Sequence, residues 1–149
     1  MDEAPLRRNK PTIHTIHGIN IGILSGDALL IKAYQFFEDL EPELFKKCIK
    51  IFSETGAVLC EGQQMDVNFE TDNNVTYDDY IQMITNKTGV LSAASFKIGA
   101  LIAGASDQDA EALYNFGKHI GIAFQIMDDY LDVYGDMEQF GKRQAGDIY

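Results

Sequence analysis

A chain of 149 residues with 46% hydrophobic content can bury one substantial core, which excludes disorder throughout. Twelve Lys and Arg against twenty-three Asp and Glu leave a formal charge of −11, which excludes a nucleic-acid surface, suits anionic lipid poorly and requires a local basic pocket for any anionic ligand. Cys48 and Cys60 lie inside apolar helical patterns, with neither metal-ligand spacing nor the density of a secreted scaffold, so a reducing, cytoplasmic compartment is expected.

Residues 1–19 read as an irregular basic segment; Met1 leads directly into Asp2, Glu3, Arg7 and Arg8, so no signal peptide is expected. From 20 to 40, Ile23, Leu30, Ala33, Tyr34 and Phe37 recur at helical spacing around Gly26 and Asp27. Tyr34, Phe36 and Phe37 read as core or subunit interface. The last of the three prolines, Pro42, suits the first turn of the next helix, expected to run to about Val67 and to end in a polar loop over 70–76. Thr76 with Asp79 three residues on approximates a capping box and opens a pattern through Tyr80, Met83 and Ile84. Lys87, Thr88 and Gly89 interrupt it; the pattern resumes with Leu91, Ala94, Ile98 and Leu101. Ser106 then caps a helix carrying Leu113, Phe116, Ile120, Phe124 and Leu131. The weakly polar run over 90–105 is broken by Lys97 and falls short of the roughly 20 residues of a membrane span. With no strand-length alternation, the chain reads as all-α, a single domain over 1–149.

The informative stretch is 121–134, an apolar helix into which Gln125, Asp128, Asp129 and Asp132 are set. Asp128 and Asp132 are one turn apart, which puts both carboxylates on one face at about 5–6 Å. At an effective dielectric near 20 their repulsion is of order 3 kcal/mol, so the cluster needs compensation. Aspartates with a neutral amide, and no partnering histidine or cysteine, favour hard Mg²⁺. Magnesium commonly bridges to phosphates, so the site calls for a phosphorylated substrate met by cations, for which Arg7, Arg8, Lys87 and Lys142 are candidates. Taken alone, the acids read equally well as a solvated face near a helix end. The surrounding Phe124, Ile126, Met127, Tyr130, Leu131 and Val133 shift the reading toward an acidic patch walled by apolar residues. Gly117 and Gly121, four apart, read as close helix packing, and His14, His17 and His119 show no metal-ligand spacing.

These residues resemble the trans-isoprenyl diphosphate synthases, which elongate an allylic diphosphate with isopentenyl diphosphate. Residues 124–132, from Phe124 through Asp128, Asp129 and Asp132, resemble the second aspartate-rich motif of that family. Phe140, Gly141 and Lys142 followed by Gly146 and Asp147 resemble the glycine-lysine stretch after it. Gly62, Gln63 and Asp66 match a glycine-glutamine-x-x-aspartate helix, Lys87-Thr88 a helix-breaking lysine-threonine, and Ser25-Gly26-Asp27 also falls where expected. Asp2 with Arg7 and Arg8 resembles the tail of the first aspartate-rich motif without its leading pair. Asn9 stands where glycine commonly follows the arginines, and Ala145 where a second glycine is usual.

The resemblance implies an antiparallel helical bundle of the isoprenoid synthase type, here expected to be truncated at both ends, and a homodimer. It implies Mg²⁺ held by Asp128, Asp129 and Asp132 from one helix and Asp2 from another. Arg7 and Lys87 would meet the allylic diphosphate and Arg8 the isopentenyl diphosphate, Lys142 would close over the leaving group, and Gln125 would complete the diphosphate-binding set. Lys87, Thr88 and Gln125 would present dipoles to an allylic cation. Individually Arg7-Arg8 reads as a solvated pair, 87–89 as an inter-helix turn and Gln63 with Asp66 as exposed polarity; jointly they read as a site. Two alternatives stay open, a non-catalytic dimerisation module and a class I terpene cyclase. Residues 1–149 alone are expected to turn over little, and product chain length is not encoded in them.

Overall fold

A computed structural model describes residues 4–134. They fall in two compact units, one of residues 4–39 with 130–134, the other Leu40–Asp129. Apart from one short hairpin the secondary-structure elements of the described residues are helices, and no helix among them is long and apolar enough to cross a membrane.

The first unit begins where the sequence offered no strand signal. β1 (Leu6–Arg7) pairs antiparallel with β2 (Lys10–Pro11), Leu6 opposite Pro11 and Arg7 opposite Lys10. The two linking residues both sit in the left-handed region, Arg8 at φ 51° and Asn9 at φ 60°, the pattern of a type I′ turn. Asparagine tolerates that conformation better than other side chains outside glycine, so Asn9 preserves the turn. Arg8 holds it at a cost of about 1–2 kcal/mol. The Thr12 N–H donates to the Pro5 carbonyl at 3.0 Å and its hydroxyl to the Ala4 carbonyl at 3.0 Å, fastening the hairpin to α1 (Ile13–His17). α2 follows at Ile19–Gln35, ending five residues before the expected limit of 40, and has no buried residue. The aromatic group at its end divides, with Phe37 8% and Phe36 87% exposed.

In the second unit, α3 (Pro42–Phe69) starts with proline in its first turn, as the sequence predicts. α4 (Tyr77–Ile84) opens with a complete capping box: the Asp79 N–H donates to Thr76 Oγ1 at 3.2 Å and the Thr76 N–H to Asp79 Oδ2 at 3.0 Å. Hydrogen bonds from the Thr76 side chain and then its backbone hold the Asp79 carboxyl below its ordinary 3.8. A depressed carboxylate contributes stability above the unfolded value and loses it as pH falls through the folded one. The stability gap between wild type and Asp79→Ala, measured by urea unfolding, is therefore expected at neutral pH and to close below 3.8. A gap that persists at lower pH would show that the box works without the charge.

The expected interruption at Lys87 is not a break. Residues Thr85–Gly89 continue α4 as a π-helical segment, and the Val90 N–H donates to the Thr85 carbonyl five residues back. α5 (Val90–Ile102) continues directly. Ser106 then caps α6 (Asp107–Tyr134), its Oγ accepting the Asp109 N–H at 3.1 Å. Contacts run from α3 to the π segment, to α4 and to α5, around buried Cys48, Thr55, Gly62, Met83, Ile84, Val90 and Ala94. α6 lies close to α5 and to the π segment where its glycines fall: a Cβ on Gly117 would lie 2.7 Å from Phe96 Cδ2 and 3.0 Å from Ala93 Cα, and one on Gly121 2.8 Å from Gly89 Cα. That pair of glycines does what the sequence reading assigned to it.

Candidate active site

The π segment and α6 meet through polar side chains. Thr88 Oγ1 donates to Gln125 Oε1 at 2.7 Å, Gln125 Nε2 donates to Asp129 Oδ1 at 2.8 Å, and the Tyr80 hydroxyl donates to Asp129 Oδ2 at 2.5 Å. All four side chains are half-buried or nearly so. Burial first, then the hydrogen bond to Asp129 and its negative charge, push the Tyr80 hydroxyl above its ordinary range, so it remains a donor.

Beside this chain of bonds, Lys87 Nζ donates to Asp66 Oδ2 at 2.6 Å, and Gln63 Nε2 donates to the same oxygen at 2.9 Å. The ammonium and the carboxylate are 30% and 29% exposed, dry enough for the pairing to fix the lysine head. Gly62 makes the approach possible, because a Cβ there would fall on the Lys87 backbone nitrogen and 2.6 Å from the Asn86 carbonyl carbon.

Of the sequence candidates, Lys87, Thr88, Gln125 and Asp129 therefore converge in the second unit. Asp128 is half-buried and Asp132, one turn on along α6, is 6% exposed; both have interaction partners. Arg7 and Arg8 are exposed on the hairpin of the first unit. Asp2 and Lys142 lie outside the described residues. Among the described residues no group of three or more His, Cys, Asp and Glu side chains gathers in metal-holding geometry. The apolar wall expected around the acids is not closed by the described residues: Phe124 is 65% and Met127 56% exposed.

Sequence reasoning gave Tyr80 only a place in an apolar pattern and Asp66 only a place in a motif. The Gln63-x-x-Asp66 spacing, three apart on a helix, was the available signal for the second. Nothing local signals Tyr80, whose partner is 49 positions away.

The whole chain, residues 1–149, matches the family model for polyprenyl synthetase. It is 43% identical over 150 residues to a geranylgeranyl diphosphate synthase of Methanosarcina mazei, covering 99% of this chain and 46% of that protein. A crystal structure of a geranylgeranyl pyrophosphate synthase superposes with TM-score 0.93 at 49% identity, covering 98% of this chain and 45% of the other. A geranyltransferase from Helicobacter pylori, complexed with magnesium and isoprenyl diphosphate, superposes with TM-score 0.89 at 31% identity over 99% of this chain and 50% of its own. The chain thus spans about half the length of the curated relatives it matches. The fold is the all-α fold of the isoprenoid synthases. A match running the full length of the sequence, together with helices that superpose on solved synthases, establishes that this chain belongs to the polyprenyl synthetase family.

Proposed function

We propose that this chain carries the ionising half of an enzyme that condenses isopentenyl diphosphate with an allylic prenyl diphosphate in isoprenoid biosynthesis. The observation that carries the reading is the bonded file Thr88, Gln125 and Asp129, with Lys87, held by Asp66, next to Thr88 in the π segment: one cation and oriented dipoles ending on an acid of α6. Magnesium fits the donor chemistry: Asp128 and Asp132 offer hard oxygens one turn apart, and no imidazole or thiolate accompanies them on that turn. Two carboxylates suffice for an ion that keeps waters and takes phosphate oxygens, with Asp2 and Asp129 completing the acid set. When bound, Mg²⁺ supplies charge that stabilises the departing pyrophosphate.

The chain's own residues do the rest. Lys87, held by Asp66, meets the developing negative charge with a fixed cation, and Arg7, Arg8 and Lys142 supply further diphosphate contacts. Preorganised charge of this kind costs no solvent reorganisation when the bond breaks. The oxygen end of the Gln125 amide and the hydroxyl of Thr88 face the allylic cation, which must meet the isopentenyl double bond before water does. The exposed apolar side chains Ile23, Leu24, Leu30 and Ile31 of α2, each 54–62% exposed, support a homodimer.

Assay of the complete protein with geranyl diphosphate and isopentenyl diphosphate is expected to give Mg²⁺-dependent chain elongation from a species that sediments as a dimer. Residues 1–149 alone are expected to turn over little. Absence of any metal-dependent product, or loss of neither product nor metal-dependent bisphosphonate binding in Asp128→Ala, would refute the reading.

A further inference from the structure

A primary amide has a positive and a negative end, and which end faces an allylic cation decides whether Gln125 attracts or repels it. Rotation of the amide by half a turn exchanges the two ends at little cost in shape. Nothing in Gln125 itself selects one orientation. Thr88 does not select it either, since a hydroxyl donates to oxygen or accepts from nitrogen equally well.

Asp129 does select it. A carboxylate only accepts, so the amide nitrogen must be the end that faces Asp129, and the oxygen is then the end that faces Thr88 and the π segment. The selection holds only while Asp129 stays in place. Its second oxygen is held by the Tyr80 hydroxyl at 2.5 Å, from the neighbouring helix α4. Both carboxylate oxygens are thus engaged in hydrogen bonds, one orienting the amide and the other anchoring the acid.

We infer that Tyr80 is a positioning residue which, acting through Asp129, fixes the Gln125 carboxamide with its oxygen toward Thr88. Asp129 thus orients an amide besides taking its place in the acid set. The inference rests on the proposed function for its consequence, since only a cation makes the sign of the dipole matter. Its structural half, the orientation of an amide, stands apart from turnover.

Two measurements on the complete protein test it. The first is the side-chain amide resonance of Gln125 in ¹⁵N-glutamine-labelled protein without ligands, assigned by its loss in Gln125→Leu. Wild type is expected to give one slowly exchanging pair of protons, and Tyr80→Phe a broadened pair that exchanges about tenfold faster or more, on the scale of one lost hydrogen bond. An unchanged pair in Tyr80→Phe overturns the inference. The second is steady-state kinetics with the double-mutant cycle. Tyr80→Phe is expected to lower kcat about tenfold, with KM for both diphosphates and Mg²⁺-dependent bisphosphonate binding within about twofold. In the Gln125→Leu background the same substitution is expected to have no further effect. An equal loss in that background, or a loosened amide with unchanged kcat, overturns it. Wild-type protein with no turnover and no metal-dependent ligand binding would instead sink the functional reading, and the amide resonance alone would then decide the positioning claim.

Discussion

Replacing Gly62 with alanine is expected to destabilise the protein by about 1–3 kcal/mol, the usual cost of overpacking, although alanine is the better helix former. The sign follows from what the new methyl meets. It would fall on the Lys87 backbone nitrogen, 2.6 Å from the Asn86 carbonyl carbon and 2.7 Å from Asn86 Cβ. Two of these are backbone atoms, so no side chain can rotate away and α3 must separate from the π segment. That movement displaces Lys87 from Asp66 and takes Thr88 with it, so activity is expected to fall with stability. Gly56 provides the contrast on the same helix, because a Cβ there meets nothing within 4 Å among the described residues. Gly56→Ala is expected to be neutral or to stabilise by about 0.5–1 kcal/mol. Urea unfolding of both variants with unchanged m-values checks the pair. Equal midpoints for the two would show that the tight approach at Gly62 is not maintained in solution.

The parts of this fold that were legible in the sequence are those set by local chemistry. Pro42, the Thr76–Asp79 box and Ser106 each act within one helical turn, and the structure puts helix starts at all three. The hairpin at 6–11 was not legible, since its strands are two residues long and its turn carries Arg8-Asn9 in place of an asparagine-glycine pair. The π segment was read as an interruption because lysine, threonine and glycine in succession look like a turn. What keeps it helical is tertiary: Gly89 is buried against Gly121 of α6, and Gly62 admits the backbone at Lys87. The same division runs through the site. Gln125 and Asp129 are four apart on one helix and could be paired from sequence, whereas Tyr80 with Asp129 and Asp66 with Lys87 are pairs that only the packing of α3, α4 and α6 creates.

On the proposed reaction, removing the Lys87 ammonium is expected to lower turnover of the complete protein while the acids of α6 stay intact. A charge-assisted hydrogen bond to a diphosphate oxygen contributes roughly 1.5–3 kcal/mol, so Lys87→Ala is expected to lower kcat/KM for the allylic diphosphate by about 10- to 150-fold. Asp66 makes the more discriminating substitution, because it acts on Lys87 in two opposed ways. As an anion 2.6 Å from Nζ it offsets the charge that a diphosphate would see, so its loss should tighten binding. As an anchor shared with Gln63 it holds a flexible four-carbon chain in one place, so its loss should raise the barrier. In a chain of net charge −11 a single lysine gains little by being freed into solvent, whereas misplacement by even 1 Å at a reacting phosphate is costly. The anchoring effect is therefore expected to win. Asp66→Asn should lower kcat about tenfold while KM falls or stays level, and the double variant with Lys87→Ala should be no worse than Lys87→Ala alone. A rise in kcat for Asp66→Asn would mean that the carboxylate competes with the substrate for the lysine, and that the pair is broken when the diphosphate binds.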